Sequence, residues 1–198
     1  MELLNMTTIG LVRHGITEWN ELGKSQGISD IPLSNIGKQQ AMALANRLSL
    51  EEKWDVIATS NLSRAKETAQ IVSDKLKLSI AIVDERIREI NCGQIEGTTE
   101  EERVTKWGVN WRDFDLGMER FEEVSKRGIA FLEEIVNTYS GQRVLVISHG
   151  ALIGLTLQQL LPETFSKTNL SNTSLTILKN IESKWECILY NCTKHLEE

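Results

Sequence analysis

The chain has 198 residues, 40% hydrophobic and 25% charged, so it is long enough for one domain with a proper core and lacks the composition of a disordered chain. Its 22 Lys and Arg stand against 28 Asp and Glu, a formal net charge of −6 with no basic stripe, which excludes nucleic-acid binding driven by counterion release. Three cysteines, Cys92, Cys187 and Cys192, show no C-x-x-C spacing, and no apolar run approaches the ~18 residues of a membrane span, so a soluble, cytoplasmic protein with reduced thiols is expected.

The first element is the apolar run Ile9-Gly10-Leu11-Val12, which reads as a buried parallel strand and ends on Arg13-His14-Gly15. A polar loop leads to Pro32, and Ser34 is placed to cap a helix with Ala41, Leu44, Ala45 and Leu48 on one face. Residues 54–59 read as a second strand. Ser60 is then a candidate cap for a helix carrying Leu62, Ala65, Ala69, Val72 and Leu76, which puts Arg64 in its first turn. A short strand at 80–83 precedes a loop with two glycines from Arg88 to Gly97.

Residues 98–118 show no sustained period but concentrate Trp107, Trp111 and Phe114, and are expected to form a lid or insertion, 98–120, over the sheet. Trp107 and Trp111 are spaced i,i+4 and could share a helical face packed inside that lid. The three glutamates at 100–102 read as a solvated face. Phe121, Val124, Gly128, Leu132 and Ile135 mark a long helix ending near Gly141. The second apolar run, Val144-Leu145-Val146-Ile147, ends on Ser148-His149-Gly150, and a helix over 152–161 stops at Pro162. Segments 173–178 and 185–190 read as a hairpin. Strands alternating with helices predict a single α/β domain over 1–198: a three-layer α/β/α sandwich around a mostly parallel sheet with one antiparallel strand.

Two histidines at the carboxyl ends of two buried-type strands carry the chemistry, because open α/β sheets bind ligands there. Phosphoryl transfer needs cations and N–H donors around three equatorial oxygens, and arginine binds phosphate two-pronged while staying charged. Arg13 and Arg64 are the candidates. Arg64 opposes the dipole at a helix N-terminus, where acids are preferred, and a bound anion resolves that conflict. A neutral His14 can attack phosphorus through one ring nitrogen if the other nitrogen's hydrogen is held. The leaving alkoxide needs a proton, for which Asp84, Glu85, Glu89 and Glu96 compete.

Leu11-Val12-Arg13-His14-Gly15 with Thr17, Trp19 and Asn20 resembles the amino-terminal signature of the histidine phosphatase superfamily, phosphoglycerate mutase-like branch. The resemblance continues through Gln26-Gly27, Asp30, Pro32-Leu33-Ser34, Gly37 and Gln40-Ala41, then Ser60-x-Leu62-x-Arg64-Ala65 with Thr68-Ala69. Arg88-Glu89-Ile90, Gly93, Glu96-Gly97, Ser148-His149-Gly150 and Asn172-Thr173-Ser174 complete it in the family's order. It implies His14 as phosphorylated nucleophile, Glu89 as proton donor and later activator of water, and Arg13, Arg64 and His149, with Gly150 beside it, as the phosphate pocket. It further implies that Asn20 gives a side-chain amide to the phosphate, that Gln26 and Gly27 border the substrate, and that neither metal nor cofactor is required.

The expected activity is hydrolysis of small phosphorylated metabolites, resembling PhoE/CobC-like phosphatases, by a monomer or homodimer with no nucleic-acid or membrane partner. True mutases of the family carry a longer insertion with tandem arginines and a tyrosine three residues after the acid; here that place is Cys92, and the insertion has isolated Arg103 and Arg112. A phosphoglycerate mutase and a catalytically silent phospho-ligand-binding domain are the alternatives. The ester itself stays open between a phosphoglycerate, a sugar phosphate, a nucleotide-loop precursor such as α-ribazole phosphate, and broad small-ester activity. Many members carry Gly-Glu-Ser where this chain has Gly117-Met118-Glu119-Arg120, so Arg120 either reaches the pocket mouth or lies on the surface.

Overall fold

The structure, a computed structural model, describes residues 6–51 and 53–197. In chain order it comprises β1 (Met6–Arg13), α1 (Glu18–Glu21), α2 (Asn35–Leu50), β2 (Val56–Ser60), α3 (Ser63–Leu76) and β3 (Ile80–Asp84). Then follow α4 (Glu100–Trp107), α5 (Phe121–Thr138), β4 (Arg143–Ser148), α6 (Gly150–Leu160), β5 (Leu175–Ile181) and β6 (Lys184–Cys192). The strands form one sheet in the order β3-β2-β4-β1-β5-β6. β1, β2, β3 and β4 are mutually parallel, β5 runs against β1, and β6 runs against β5. β5 is thus the one antiparallel strand, as the sequence predicts.

The period of two along each strand divides the core into two layers. Ile9, Leu11, Val144 and Val146 pack with Val124, Phe131 and Leu132 of α5 and with Leu152, Ile153 and Leu157 of α6. Val12, Leu145 and Ile147 point the other way, against Leu44, Ala45 and Leu48 of α2 and Ala65, Ala69 and Val72 of α3. Each such aliphatic side chain, fully buried, contributes about 1.5–3 kcal/mol, more than the ~0–1 kcal/mol of an exposed ion pair, so these two layers hold the sheet ends in place. Ser34 caps α2 by accepting the Gly37 amide hydrogen at 3.2 Å, as its sequence position suggests.

Three local expectations are corrected. The second strand begins at Val56, because Trp54 turns inward and its indole fills the space over Gly10, where a Cβ would lie 2.4 Å from the ring. The cap residue of α3 is Leu62, without a side-chain cap bond, and Ser60 closes β2 instead. Residues 98–118 contain a true helix, α4, entered through a reciprocal Thr99–Glu102 capping box. Trp107 ends that helix, whereas Trp111 lies in the next short 3-10 turn, so the two do not share a helical face. Trp111 packs with Ile95 and Leu116, with Trp107 against that cluster. Of the three glutamates, Glu100 holds Arg112 and the Trp111 indole N–H, and Glu102 completes the cap, while all three remain exposed.

Candidate active site

The sheet order creates the crevice. The chain leaves β1 through α2 to β2, beyond β4, and leaves β4 through α6 to β5, beyond β1. Adjacent strands whose connections depart in opposite directions over opposite faces leave an opening at their carboxyl ends. Arg13 stands in register with Ser148 there, and the His14 amide donates to the Ser148 carbonyl at 3.0 Å. The two strand-end histidines are therefore neighbours, with ring centroids 5.2 Å apart and planes inclined by 56°.

His14 is 2% exposed, and its Nδ1 lies 2.7 Å from its neighbour Gly15's carbonyl oxygen. A carbonyl only accepts, so that nitrogen carries the hydrogen and Nε2 keeps its lone pair. Burial first, then the charges of Arg64 and Arg13, hold the imidazole pKa well below 6.5. A neutral ring with one fixed, unprotonated nitrogen is the form that attacks phosphorus.

His149 is fully buried, with Nε2 2.8 Å from Ser60 Oγ. That oxygen also accepts the Leu62 amide hydrogen at 3.3 Å, and as a hydroxyl it can either give its hydrogen to Nε2 or accept one from it. Burial, followed by Arg64, His14 and Arg13, also keeps this imidazole neutral near pH 7. Arg64 has no exposed surface; its Nη1 and Nη2 donate to the carbonyls of Ser29 (2.8 Å) and Gly27 (2.7 Å). Arg13 donates through Nη1 to the Leu170 carbonyl. Burial lowers both guanidinium pKa values and the nearby charge of Glu89 opposes that, yet guanidinium stays charged.

Three buried nitrogens of this group, Arg13 Nε, Arg64 Nε and His149 Nδ1, have no hydrogen-bond partner among the described residues. Each orphan donor costs about 1–3 kcal/mol, and two of them sit on cations held by neutral carbonyls, so the pocket is built for an anion. Glu89 faces it. Its carboxylate accepts the amide hydrogens of Ile90 (3.0 Å), Leu152 (3.1 Å) and Ala151 (3.2 Å), so the first turn of α6, which follows His149 directly, also orients the acid. Its rivals are engaged elsewhere: Asp84 pairs with Arg86 at 2.6 Å, Glu96 binds the 28–29 backbone, and Glu85 is exposed.

The remaining predicted residues divide. Asn20 accepts the Thr17 amide hydrogen through Oδ1 at 3.1 Å, leaving its amide hydrogens as what it can offer an anion. Gln26 is buried, with Oε1 accepting from Thr17 Oγ1, and Gly27 gives its carbonyl to Arg64. Gly150 lies against Arg13, where a Cβ would come within 3.3 Å of Nε. A cleft of about 390 Å³ opens beside Arg13, Glu89 and Gly150, walled by Ile90, Met118, Phe121, Leu155, Gln158 and Asn169 among others. Arg120, Trp107 and Trp111 do not line it; the Arg120 side chain is 78% exposed, 3.7 Å from Glu122.

Sequence reasoning missed Ser60 as a partner of His149, and Asn172, whose Nδ2 donates to the His14 carbonyl at 2.9 Å. It also missed Arg127, which donates to the carbonyls of Arg86, Arg88 and Glu89 and pairs with Glu119 at 2.9 Å, tying down the loop that carries the acid. Among the described residues no three His, Cys, Asp or Glu side chains group as metal ligands, and no helix is long and apolar enough to cross a membrane.

A conserved-family model described as histidine phosphatase superfamily (branch 1) matches residues 9–193, and the chain belongs to that superfamily. It is an enzyme of the phosphoric monoester hydrolase class. Among its relatives, the uncharacterized phosphatase PhoE of Bacillus subtilis is 37% identical over 194 residues, 96% of this chain and 97% of that one. The metal-independent phosphoserine phosphatase of Arabidopsis thaliana is 29% identical over 200 residues, 96% of this chain and 84% of that one. The solved structure of Bacillus stearothermophilus YhfR superposes with a TM-score of 0.85 at 32% identity, covering 96% of this chain and all of that chain.

Proposed function

We propose that the protein hydrolyses small phosphomonoesters in two steps through a phosphohistidine on His14, without a metal ion. The observation that carries this reading is a buried imidazole, neutral and with one nitrogen held by the Gly15 carbonyl, lying under the influence of two guanidinium groups whose Nε donors have no partner. A phosphoryl dianion bound by Arg13, Arg64 and the Nδ1–H of His149, with the Asn20 amide added, meets those donors at its equatorial oxygens. His14 Nε2 then forms the N–P bond as the ester P–O bond breaks, and the carboxyl proton of Glu89 passes to the leaving alkoxide. The imidazolium so formed keeps its Nδ1–H on the Gly15 carbonyl.

In the second step Glu89, now carboxylate, takes a proton from water, the water oxygen bonds to phosphorus, and the N–P electron pair returns to Nε2. Inorganic phosphate leaves and Glu89 is protonated again. The cations that neutralise the developing charge are supplied by the chain itself, the work a divalent metal performs in other phosphotransfer sites. The substrate is a small phosphorylated metabolite whose alcohol occupies the cleft beside Met118 and Phe121, and the reaction takes place in the cytoplasm.

The test is release of inorganic phosphate from p-nitrophenyl phosphate and 3-phosphoglycerate with and without EDTA. Chelator-insensitive hydrolysis, abolished in His14→Ala, is expected. Interconversion of phosphoglycerates without hydrolysis would instead make the protein a mutase, and the absence of both a binding domain.

A further inference from the structure

We propose that Glu96 is a positioning residue for phosphate binding, fixing the guanidinium of Arg64 through the backbone of residues 27–29. The inference rests on the phosphate pocket described above. Among the described residues Arg64 is held by two carbonyls, those of Gly27 and Ser29, so the plane of its guanidinium is set by wherever that short loop segment lies. The loop is exposed at Ile28 and has no regular secondary structure of its own. A turn bond from the Ser29 amide to the Gln26 carbonyl (3.1 Å) and the anchoring of Asp30 to Ser63 shape the segment, and one carboxylate holds it from the opposite side: Glu96 Oε1 accepts the Ile28 amide hydrogen at 2.9 Å, and Oε2 accepts the Ser29 amide hydrogen at 2.9 Å and the Ser29 hydroxyl at 2.5 Å.

The donors on one side of the loop thus go to Glu96, and the acceptors on the other go to Arg64. Gly27 makes this sandwich possible. Its φ is +54°, and a Cβ there would lie 2.0 Å from Glu96 Oε1. Oε1 also accepts the Cys92 amide hydrogen at 3.0 Å, so the same side chain ties the phosphate-holding loop to the segment that carries Glu89. A carboxylate can accept all four hydrogens; an amide cannot, since its NH2 would face donors. Glu96 does not touch the substrate and acts only through what Arg64 can reach.

A double-mutant cycle of Glu96→Gln with Arg64→Ala tests this, read as kcat/KM for p-nitrophenyl phosphate and as competitive inhibition by inorganic phosphate, well below the melting temperature of every variant. Glu96→Gln alone is expected to lower kcat/KM by about 10- to 100-fold and to weaken phosphate inhibition by about 10-fold, since ~1 Å of misplacement costs that much. In the Arg64→Ala background the same change is expected to cost less than about threefold. A merely structural Glu96 would lower the melting temperature while leaving phosphate inhibition as in the wild type, and that result, or an equal loss in both backgrounds, would overturn the proposal. Should Glu96→Gln fail to fold, Ser29→Ala, which removes the hydroxyl bond alone, enters the same cycle with a smaller loss and the same criterion. A wild-type protein without phosphatase activity, or an Arg64→Ala variant with undiminished phosphate inhibition, would sink the phosphate-pocket reading itself; additivity with both of these intact sinks only the role of Glu96.

Discussion

At the scale of single residues, the site holds two buried imidazoles beside two guanidinium groups whose Nε–H donors have no partner among the described residues. The Gly15 carbonyl decides which nitrogen of His14 is basic, and Ser60 holds Nε2 of His149. Nitrogen-15 NMR of the free protein is expected to show His14 as the neutral Nδ1–H tautomer throughout the range around pH 6.5, because burial, Arg64 and Arg13 all disfavour its protonation. A half-protonated ring at pH 6.5 would contradict this. Ser60→Ala removes the partner of His149 Nε2, and a fall of about 10-fold in kcat/KM is expected, from a ring no longer held as a donor. Glu89→Gln should lower kcat/KM for alkyl phosphates far more than for p-nitrophenyl phosphate, whose leaving group departs without a proton; equal losses would remove Glu89 from the role of acid. His14, His149, Arg13 and Arg64 were legible from sequence because each is tied to a strand end or a helix start. Arg127 was not: within α5 it is one charged residue among several, and only the fold shows that it faces three loop carbonyls instead of water.

At the scale of elements, the placement of helix starts matters more than helix propensity. The first turn of α6 carries its N–H groups to Glu89, and the first turn of α3 delivers Arg64, while Asp30 from the preceding loop binds Ser63 at the helix start. The positions of β1, β4 and α5 could be read from apolar runs and from a period of 3.6, since burial on one or both faces forces those patterns. α4 lacked such a period because it is eight residues long and buries only Arg103, yet Thr99-x-x-Glu102 was a capping-box signal present in the sequence. Loop chemistry was the least legible: nothing in Gln26-Gly27 tells that the Gly27 carbonyl holds Arg64. Gly27→Ala tests that reading. At φ +54° and against Glu96, an added methyl must displace the loop, and kcat/KM is expected to fall by about 10-fold or more with a loss of ~1–3 kcal/mol in urea unfolding; wild-type values for both would show that the loop tolerates the shift.

At the scale of the whole molecule, an acidic chain of net charge −6 encloses a cationic pocket, so the selection of phosphate is made inside the fold. The same pocket makes the fold acid-sensitive. His14 and His149 have folded-state pKa values well below the 6.5 of the unfolded chain, so the unfolded state binds more protons as pH falls through 6.5 and stability falls with it. Two fully buried histidines contribute a slope of roughly 2–3 kcal/mol per pH unit below that point, before any carboxylate titrates. Urea unfolding at pH 7.5 and pH 5.5 is expected to show this loss, and bound inorganic phosphate should restore part of it by mass action. Equal stability at the two values would mean that these rings take up protons in the folded state. The sheet order, with its crevice between β1 and β4, was implied only in outline by alternating strands and helices; which strands become neighbours depends on long-range pairing that no local pattern encodes.

The most direct measurement is rapid acid-free quenching of the enzyme during turnover, followed by mass spectrometry and phosphorus-31 NMR to locate the covalent phosphate. A phosphoryl group on Nε2 of His14, formed in the wild type and absent in His14→Ala, is expected. Phosphate found on another residue, on Nδ1 of His14, or on none while hydrolysis proceeds would contradict it.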